Sequence, residues 1–199
     1  VAIKNNGVLF VISAPSGAGK TTLELRALSV LQKKYKIEHG ITYTTRAPRS
    51  GELHGQDFYF ISQQEFELKI EEQFFLEWSS AYSNYYGTPR SILGSMELGC
   101  SFFLVIDRCG ALQIKNACCG TYYNACLIHI LLPESVCLKK RLQERDTECS
   151  GEIDQRLLVS HEELEQEVLS PIYDHTIVNL CLDHSTQELI ALVECELSK

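Results

Sequence analysis

A chain of 199 residues, 45% hydrophobic and 22% charged, is long enough to bury a substantial apolar core, as one domain or as a core with small inserted pieces. Its formal net charge of −8 argues against broad nucleic-acid or membrane-surface binding, so an anionic ligand has to be gripped by local cations. No apolar stretch approaches the roughly 18 residues of a membrane span, and the first residues lack a secretion-signal layout, which predicts a cytosolic protein.

Residues 8–12 form an apolar run, followed by small, flexible residues and then by Leu23, Ala27, Val30 and Leu31 at helical spacing. That is strand, loop, helix. Ala14, Pro15, Ser16, Gly17, Ala18, Gly19, Lys20 and Thr21 fit the phosphate-binding pattern G-x-x-x-x-G-K-[ST], with Ala14 in place of the first glycine. Gly17 and Gly19 let the backbone approach a polyphosphate, and the amides opening the helix point at it. Lys20 reaches the outer phosphates, and Thr21 offers a hydroxyl to Mg²⁺. The bland alternative is a glycine-rich turn before a surface helix.

Residues 41–45 alternate as a half-buried strand, and residues 46–52 are a turn-rich stretch carrying Arg46 and Arg49. Residues 58–61 read as a returning strand, Ser62 to Glu65 as a capping box, and Phe66, Ile70 and Phe74 as one helix face. Residues 76–78 and 85–86 read as short strands, in a block that looks like an inserted lobe. Thr88-Pro89 predicts a helix start and Gly99 its stop. Residues 101–106, 126–132 and 176–178 are apolar strands, and Ser185 to Glu188 is a capping box for a last helix with Leu189, Leu192 and Val193 inward. Apolar strands alternating with helices indicate α/β architecture, a parallel sheet covered by helices, with ligands at the strands' carboxyl ends, where the phosphate loop and Asp107 lie.

Residues 134–170 form a charged, helical stretch with Arg141, Arg145 and Arg156, and Glu162, Glu163, Glu165 and Glu167 read as a solvated face. Two readings stand side by side: a mobile lid closing over the site, or a helical hairpin whose arginines pair with its own glutamates. Nine cysteines, an odd number without C-x-x-C spacing, read as reduced and mostly buried, and the six histidines show no metal-ligand spacing.

Three motifs in order, Ala14 to Lys20, Thr44-Thr45-Arg46-Ala47-Pro48-Arg49-Ser50-Gly51-Glu52 and Asn84-Tyr85-Tyr86-Gly87-Thr88, make residues 8–194 resemble the guanylate kinase family. Shorter echoes are Ile106-Asp107 with Gly110, Arg141-Leu142 with Arg145, Gln155-Arg156-Leu157 and Ile177-Val178-Asn179. The resemblance implies a P-loop NTPase fold of three parts: a core of residues 1–41, 89–133 and 171–199, a GMP-binding lobe of residues 42–88, and a lid of residues 134–170. It implies transfer of a phosphoryl group from ATP to GMP with Mg²⁺, by a monomer or homodimer.

By the same resemblance, Arg46, Arg49 and Tyr86 hold the GMP phosphate with Glu52 behind the arginines, at a site that includes Phe58, Gly87 and Asp107. Thr42, Glu77 and Thr88 address the guanine. Residues 14–22, ending in Thr22, with Arg141 and Asn179 bind ATP; Lys20, Arg49, Arg145 and Arg156 serve transfer; Thr21 and, through water, Asp107 serve the metal. Taken without the family, Glu77 beside Trp78 reads as a surface carboxylate at a strand end.

The chain departs from the family in places. Val105 replaces an aspartate, Phe58 a phosphate-binding tyrosine, and Leu180 and Cys181 polar residues near the adenine; Glu144 and Asp146 flank Arg145. Tyr59 should point to the strand face opposite Phe58. Rival readings are a guanylate-kinase-like module that binds peptides without catalysis, and a P-loop kinase for another small acceptor.

Overall fold

The computed structural model describes residues 6–15, 18–132, 158, 162 and 165–199. In chain order the first described elements are β1 (Val8–Ser13), α1 (Lys20–Leu31), β2 (Ile37–His39), β3 (Thr42–Thr44), β4 (Phe58–Phe60), α2 (Gln63–Glu71) and β5 (Phe75–Ala81). They are followed by β6 (Asn84–Pro89), α3 (Ile92–Glu97), β7 (Ser101–Val105), α4 (Arg108–Cys118), β8 (Asn124–Leu131), β9 (His175–Val178) and α5 (Leu182–Leu197). Two compact units are formed, one by Val1–Leu9 and Lys36–Ala125, the other by Phe10–Tyr35 and Cys126–Lys199. Among the described residues no helix is long and apolar enough to cross a membrane.

In the second unit the apolar run of β1 buries Phe10, Val11 and Ile12 completely, and β8 and β9 pair in parallel from Ile128↔His175 to Leu131↔Val178. Strands buried on both faces need helices over them, and α1 and α5 pack against each other. Arg26 reaches Asp183 at 2.6 Å and Lys34 reaches Glu194 at 2.9 Å along that pair. The inward row of α1 is Leu23, Ala27, Leu28 and Leu31; Val30, expected inward, is 38% exposed because the buried stripe runs through positions four apart. The last helix opens at Leu182, three residues before the expected cap. Ser185 is its first full turn, donating its backbone N–H to Cys181 and its hydroxyl to the Val178 carbonyl.

In the first unit β2 runs parallel to β7, and a separate four-stranded sheet has the order β4-β3-β6-β5. In that sheet β3 pairs parallel with β4 and antiparallel with β6, and β5 and β6 form a hairpin closed at Ala81↔Asn84. Tyr82 and Ser83 both take positive φ (52° and 60°), the handedness a two-residue hairpin loop requires. Phe66 on α2, Phe75 on β5 and Tyr85 on β6 stack into one layer under the sheet. A side chain at Gly87 would come within 2.8 Å of the Phe75 ring, so glycine lets helix and hairpin meet.

Several local readings are overturned here. Thr88-Pro89 does not start a helix: both residues end β6, and Thr88 is paired to Glu77, while α3 begins at Ile92 after Ser91. Strand pairing wins over a cap-and-proline signal. Phe74 lies past the end of α2, where it meets the Tyr43 and Phe75 rings edge-on. Glu77 is no surface carboxylate at a strand end, being 2% exposed inside β5. The described cysteines are free, but only Cys100 and Cys126 are buried; Cys109, Cys119, Cys181 and Cys195 are exposed. Glu167, read as solvated, accepts from the Ile172 backbone N–H at 3.0 Å.

Candidate functional site

Strand alternation assembles the first unit's site. Register pairs Thr42 with Phe58, Thr44 with Tyr86 and Glu77 with Thr88, and Ser79 with Tyr86, so these residues share one face of the four-stranded sheet. The intervening residues Tyr43, Tyr59 and Gly87 belong to the other face, where Tyr43 and Tyr59 stack at 4.6 Å. Tyr59 is thus turned away from Phe58, as alternation requires. Gly87 is explained by packing on the far face, not by contact on this one.

At one end of the face lies a guanidinium clamp. The turn after β3 bends through Gly51 (φ +88°), bringing Glu52 back beneath both arginines. One Glu52 oxygen takes Arg46 Nη2 at 2.8 Å, and the other takes the Arg49 backbone N–H at 2.7 Å. Arg46 lies over the Phe58 ring at 5.4 Å and the Phe60 ring at 5.8 Å, and Phe58 meets Tyr86 at 6.3 Å. Burial works against the Arg46 charge, but Glu52 and then Tyr86 outweigh it and hold the guanidinium above its usual range. Burial likewise pushes Glu52 up, and Arg46 with the Arg49 N–H brings it below the usual carboxylate range. The result is one guanidinium, that of Arg46, fixed by an internal counter-charge that also takes the Arg49 backbone N–H, an arrangement that fits a phosphate.

Further along the same face is a buried carboxylate. Thr88 donates its hydroxyl to Glu77 Oε1 at 2.6 Å, and Thr42, 5% exposed, stands on the same side. Burial raises Glu77 to about 7; the Thr88 bond opposes this and the charge of Asp107 adds to it. The other oxygen faces Gly110, where an added Cβ would come within 2.5 Å of Oε2. Asp107 caps α4 by accepting from the Gly110 N–H at 2.8 Å and takes the Ser79 hydroxyl at 2.6 Å. Ser79 is a member of this group that sequence reasoning missed. Its signal was available, since it stands two residues after Glu77 on one strand.

The second unit carries the phosphate loop. Gly19 takes φ +87° and ends the loop as the N-terminal neighbour of α1, so the first-turn amides of the helix open toward the loop. Lys20 lies back along the loop, its ammonium on the Ala14 carbonyl at 2.5 Å and the Pro15 carbonyl at 3.3 Å. Thr21 and Thr22 are exposed on the first turn. Asn179, expected beside adenine, is 4% exposed and donates its side-chain amide to the Ala18 carbonyl at 2.8 Å. A side chain at Gly19 would come within 3.0 Å of that amide. Ser16, Gly17, Arg141, Glu144, Arg145, Asp146 and Arg156, and with them most of the expected lid, lie outside the described residues.

The guanylate kinase family model matches residues 6–196 of the chain. A guanylate kinase of Protochlamydia amoebophila is 41% identical over 192 residues, covering 96% of this chain and 91% of that one. One from Caldanaerobacter subterraneus is 36% identical over 197 residues, with 98% and 91% covered. The crystal structure of guanylate kinase from Anaplasma phagocytophilum superposes with a TM-score of 0.74 at 26% identity, covering 98% of this chain and 89% of that one. With the motifs, the α/β fold and this likeness along nearly the whole length agreeing, the chain belongs to the guanylate kinase family.

Proposed function

We infer that the protein is a guanylate kinase that moves the γ-phosphoryl group of ATP to GMP, giving ADP and GDP. The observation that carries this reading is the single sheet face on which the Arg46 guanidinium, clamped by Glu52, and a buried, threonine-bonded carboxylate stand together. The clamp suits the phosphate of a nucleoside monophosphate. The carboxylate suits guanine, whose ring N–H and exocyclic amine both donate to it; adenine would leave those buried groups unpaired.

In this reading Arg46, Arg49 and Tyr86 hold the GMP phosphate, and Thr42, Glu77 and Thr88 hold the base. Ser79 and Gly110 steady Asp107, and Asp107 and Gly110 border Glu77. Residues 14–22 cradle the ATP phosphates through backbone amides, with Lys20 on the outer ones, and Asn179 keeps the loop in shape from behind. By the family resemblance Arg141, Arg145 and Arg156, outside the described residues, serve the transferring group. No general base is required, because the attacking oxygen of GMP is already anionic; the work is positioning and neutralising two anions.

Thr21 and Asp107 offer the hard oxygen donors that suit Mg²⁺, which prefers a hydroxyl, carboxylates and retained water over nitrogen or sulfur. When bound, Mg²⁺ supplies neutralisation of the phosphate oxygens during transfer. The reading places the enzyme in the cytosol, where these substrates are made and used.

The test is a coupled assay with ATP, Mg²⁺ and GMP, AMP, UMP or CMP in turn. The reading predicts turnover with GMP at least a hundredfold above the others in kcat/KM. Equal rates for GMP and AMP would replace it with a kinase of broader acceptor range, and no turnover with any acceptor would replace it with a binding module.

A further inference from the structure

Three side chains that no step of nucleotide chemistry uses converge within the second unit. Cys126 near the start of β8, His175 at the start of β9 and Glu196 in the last turn of α5 bring a thiol sulfur, an imidazole nitrogen and a carboxylate oxygen within 4.8 Å of one another. The parallel register of β8 and β9 puts the two strand starts at one edge of the sheet, and α5 returns its C-terminal turn to that edge. Asn179, which holds the phosphate loop, follows the other end of β9. Between Cys126 and Leu131 the strand rises about 16 Å, so the cluster is separate from the phosphate loop.

The donor set is informative. One sulfur, one nitrogen and one oxygen is a zinc-type set, whereas Mg²⁺ and Ca²⁺ take oxygen alone. With zinc bonds of about 2.0–2.3 Å, neighbouring ligand atoms of a tetrahedron lie about 3.3–3.8 Å apart. His175 Nε2 and Glu196 Oε1 are already 3.5 Å apart. The remaining separations, at most 4.8 Å, close with a side-chain adjustment of about an ångström.

Glu196 supplies a negative charge at the cluster, which favours a divalent cation. The competing group is the Lys199 ammonium, 2.6 Å from the same Glu196 oxygen. Its side chain is 66% exposed, and such surface pairs hold weakly.

We propose that Cys126, His175 and Glu196 form a zinc site, three protein ligands and one position open to water, that ties the starts of β8 and β9 to the end of α5. Binding converts the thiol to a zinc-bound thiolate and releases its proton to solvent.

The test uses the full chain, nucleotide-free, stripped with a chelator and kept under a phosphine reductant, titrated with Zn²⁺ and in parallel with Co²⁺. One equivalent of either metal should bind with proton release, Co²⁺ should give a sulfur-to-metal absorption band in the near ultraviolet, and Zn²⁺ should raise the thermal midpoint. Cys126→Ser should abolish the band, and His175→Gln, at a half-exposed position that tolerates change, should weaken Zn²⁺ at least tenfold with GMP turnover unchanged. Lys199→Ala should bind more tightly. Cys195→Ser, at the exposed cysteine beside Glu196, should bind as the parent does. Absence of the band, its survival in Cys126→Ser, its loss in Cys195→Ser or unweakened binding in His175→Gln would each overturn the proposal.

Discussion

Glu77 offers the sharpest quantitative consequence of the geometry. Its carboxyl is 2% exposed and raised to about 7, yet a guanine ring N–H and amine require it ionised. The apparent dissociation constant for GMP is then the intrinsic one divided by the fraction of protein in the ionised form. At about pH 8 roughly nine-tenths is ionised and at about pH 6 roughly one-tenth, so the KM for GMP should rise about tenfold between them. The GMP phosphate also titrates near pH 6, which by itself gives about a twofold effect. Glu77→Gln separates the two, because it keeps an oxygen for Thr88 to donate to while removing the titration. Its KM for GMP should be roughly 30- to 150-fold higher at about pH 8, the worth of a charge-assisted bond of about 2–3 kcal/mol. It should retain only the small phosphate-driven pH effect. The same pKa shift fixes a stability trend of opposite sign. A buried acid with a raised pKa favours the fold most below its ordinary value of 4.5, and that contribution is lost as pH climbs through about 7. Without GMP, the parent should therefore lose on the order of 3 kcal/mol relative to Glu77→Gln across that window, read by denaturant unfolding at each pH. A parent KM for GMP that matches the Glu77→Gln profile from pH 6 to 8 would refute the reasoning.

Further outcomes follow from neighbouring contacts. Gly110→Ala puts a methyl within 2.5 Å of Glu77 Oε2, and should raise the KM for GMP at least tenfold while leaving the KM for ATP alone; unaltered GMP kinetics would show that the carboxylate has room to move. Phe58→Tyr keeps the ring under Arg46 and adds a hydroxyl beside Tyr86. One extra hydrogen bond to the GMP phosphate should lower the KM for GMP about two- to tenfold, and an unchanged KM would remove Phe58 from the site. Asn179→Ala strips the support from the Ala18 carbonyl and should raise the KM for ATP about tenfold, with the KM for GMP steady. A KM for ATP equal to the parent's would mean that the loop keeps its shape unaided.

Elements whose identity is carried by a long local pattern were legible in the sequence. The apolar runs that became β1, β7 and β8 and the glycine at the end of α3 needed no distant partner to be read. Thr88-Pro89 was misread because a threonine followed by proline is a sound helix start in isolation, and only the ladder to β5 gives Thr88 a different task. Ser185 misled in the same way, since the helix had already been opened by the turn at Leu182. At the site, the family resemblance named Arg46, Glu52 and Glu77, but not why Glu77 is a buried acid. That depends on the register opposite Thr88 and on the cap of α4, which brings Asp107 and Gly110 to it. The inward turn of Asn179 was hidden because its partner Ala18 is distant in sequence, and for Ser79, in step with Glu77 on one strand, the position was legible but not the partner Asp107.

Phosphoryl transfer rests on the phosphate loop, whose lysine opens α1 and bonds back to the Ala14 carbonyl. The decisive measurement is GMP-dependent ADP release by Lys20→Met beside the parent protein at saturating ATP, Mg²⁺ and GMP, with GMP binding measured on the same samples by calorimetry. Phosphoryl transfer should fall at least a hundredfold while GMP binds as before, because the lysine serves the ATP phosphates and the sheet face serves the acceptor. Turnover by Lys20→Met equal to that of the parent would contradict the account.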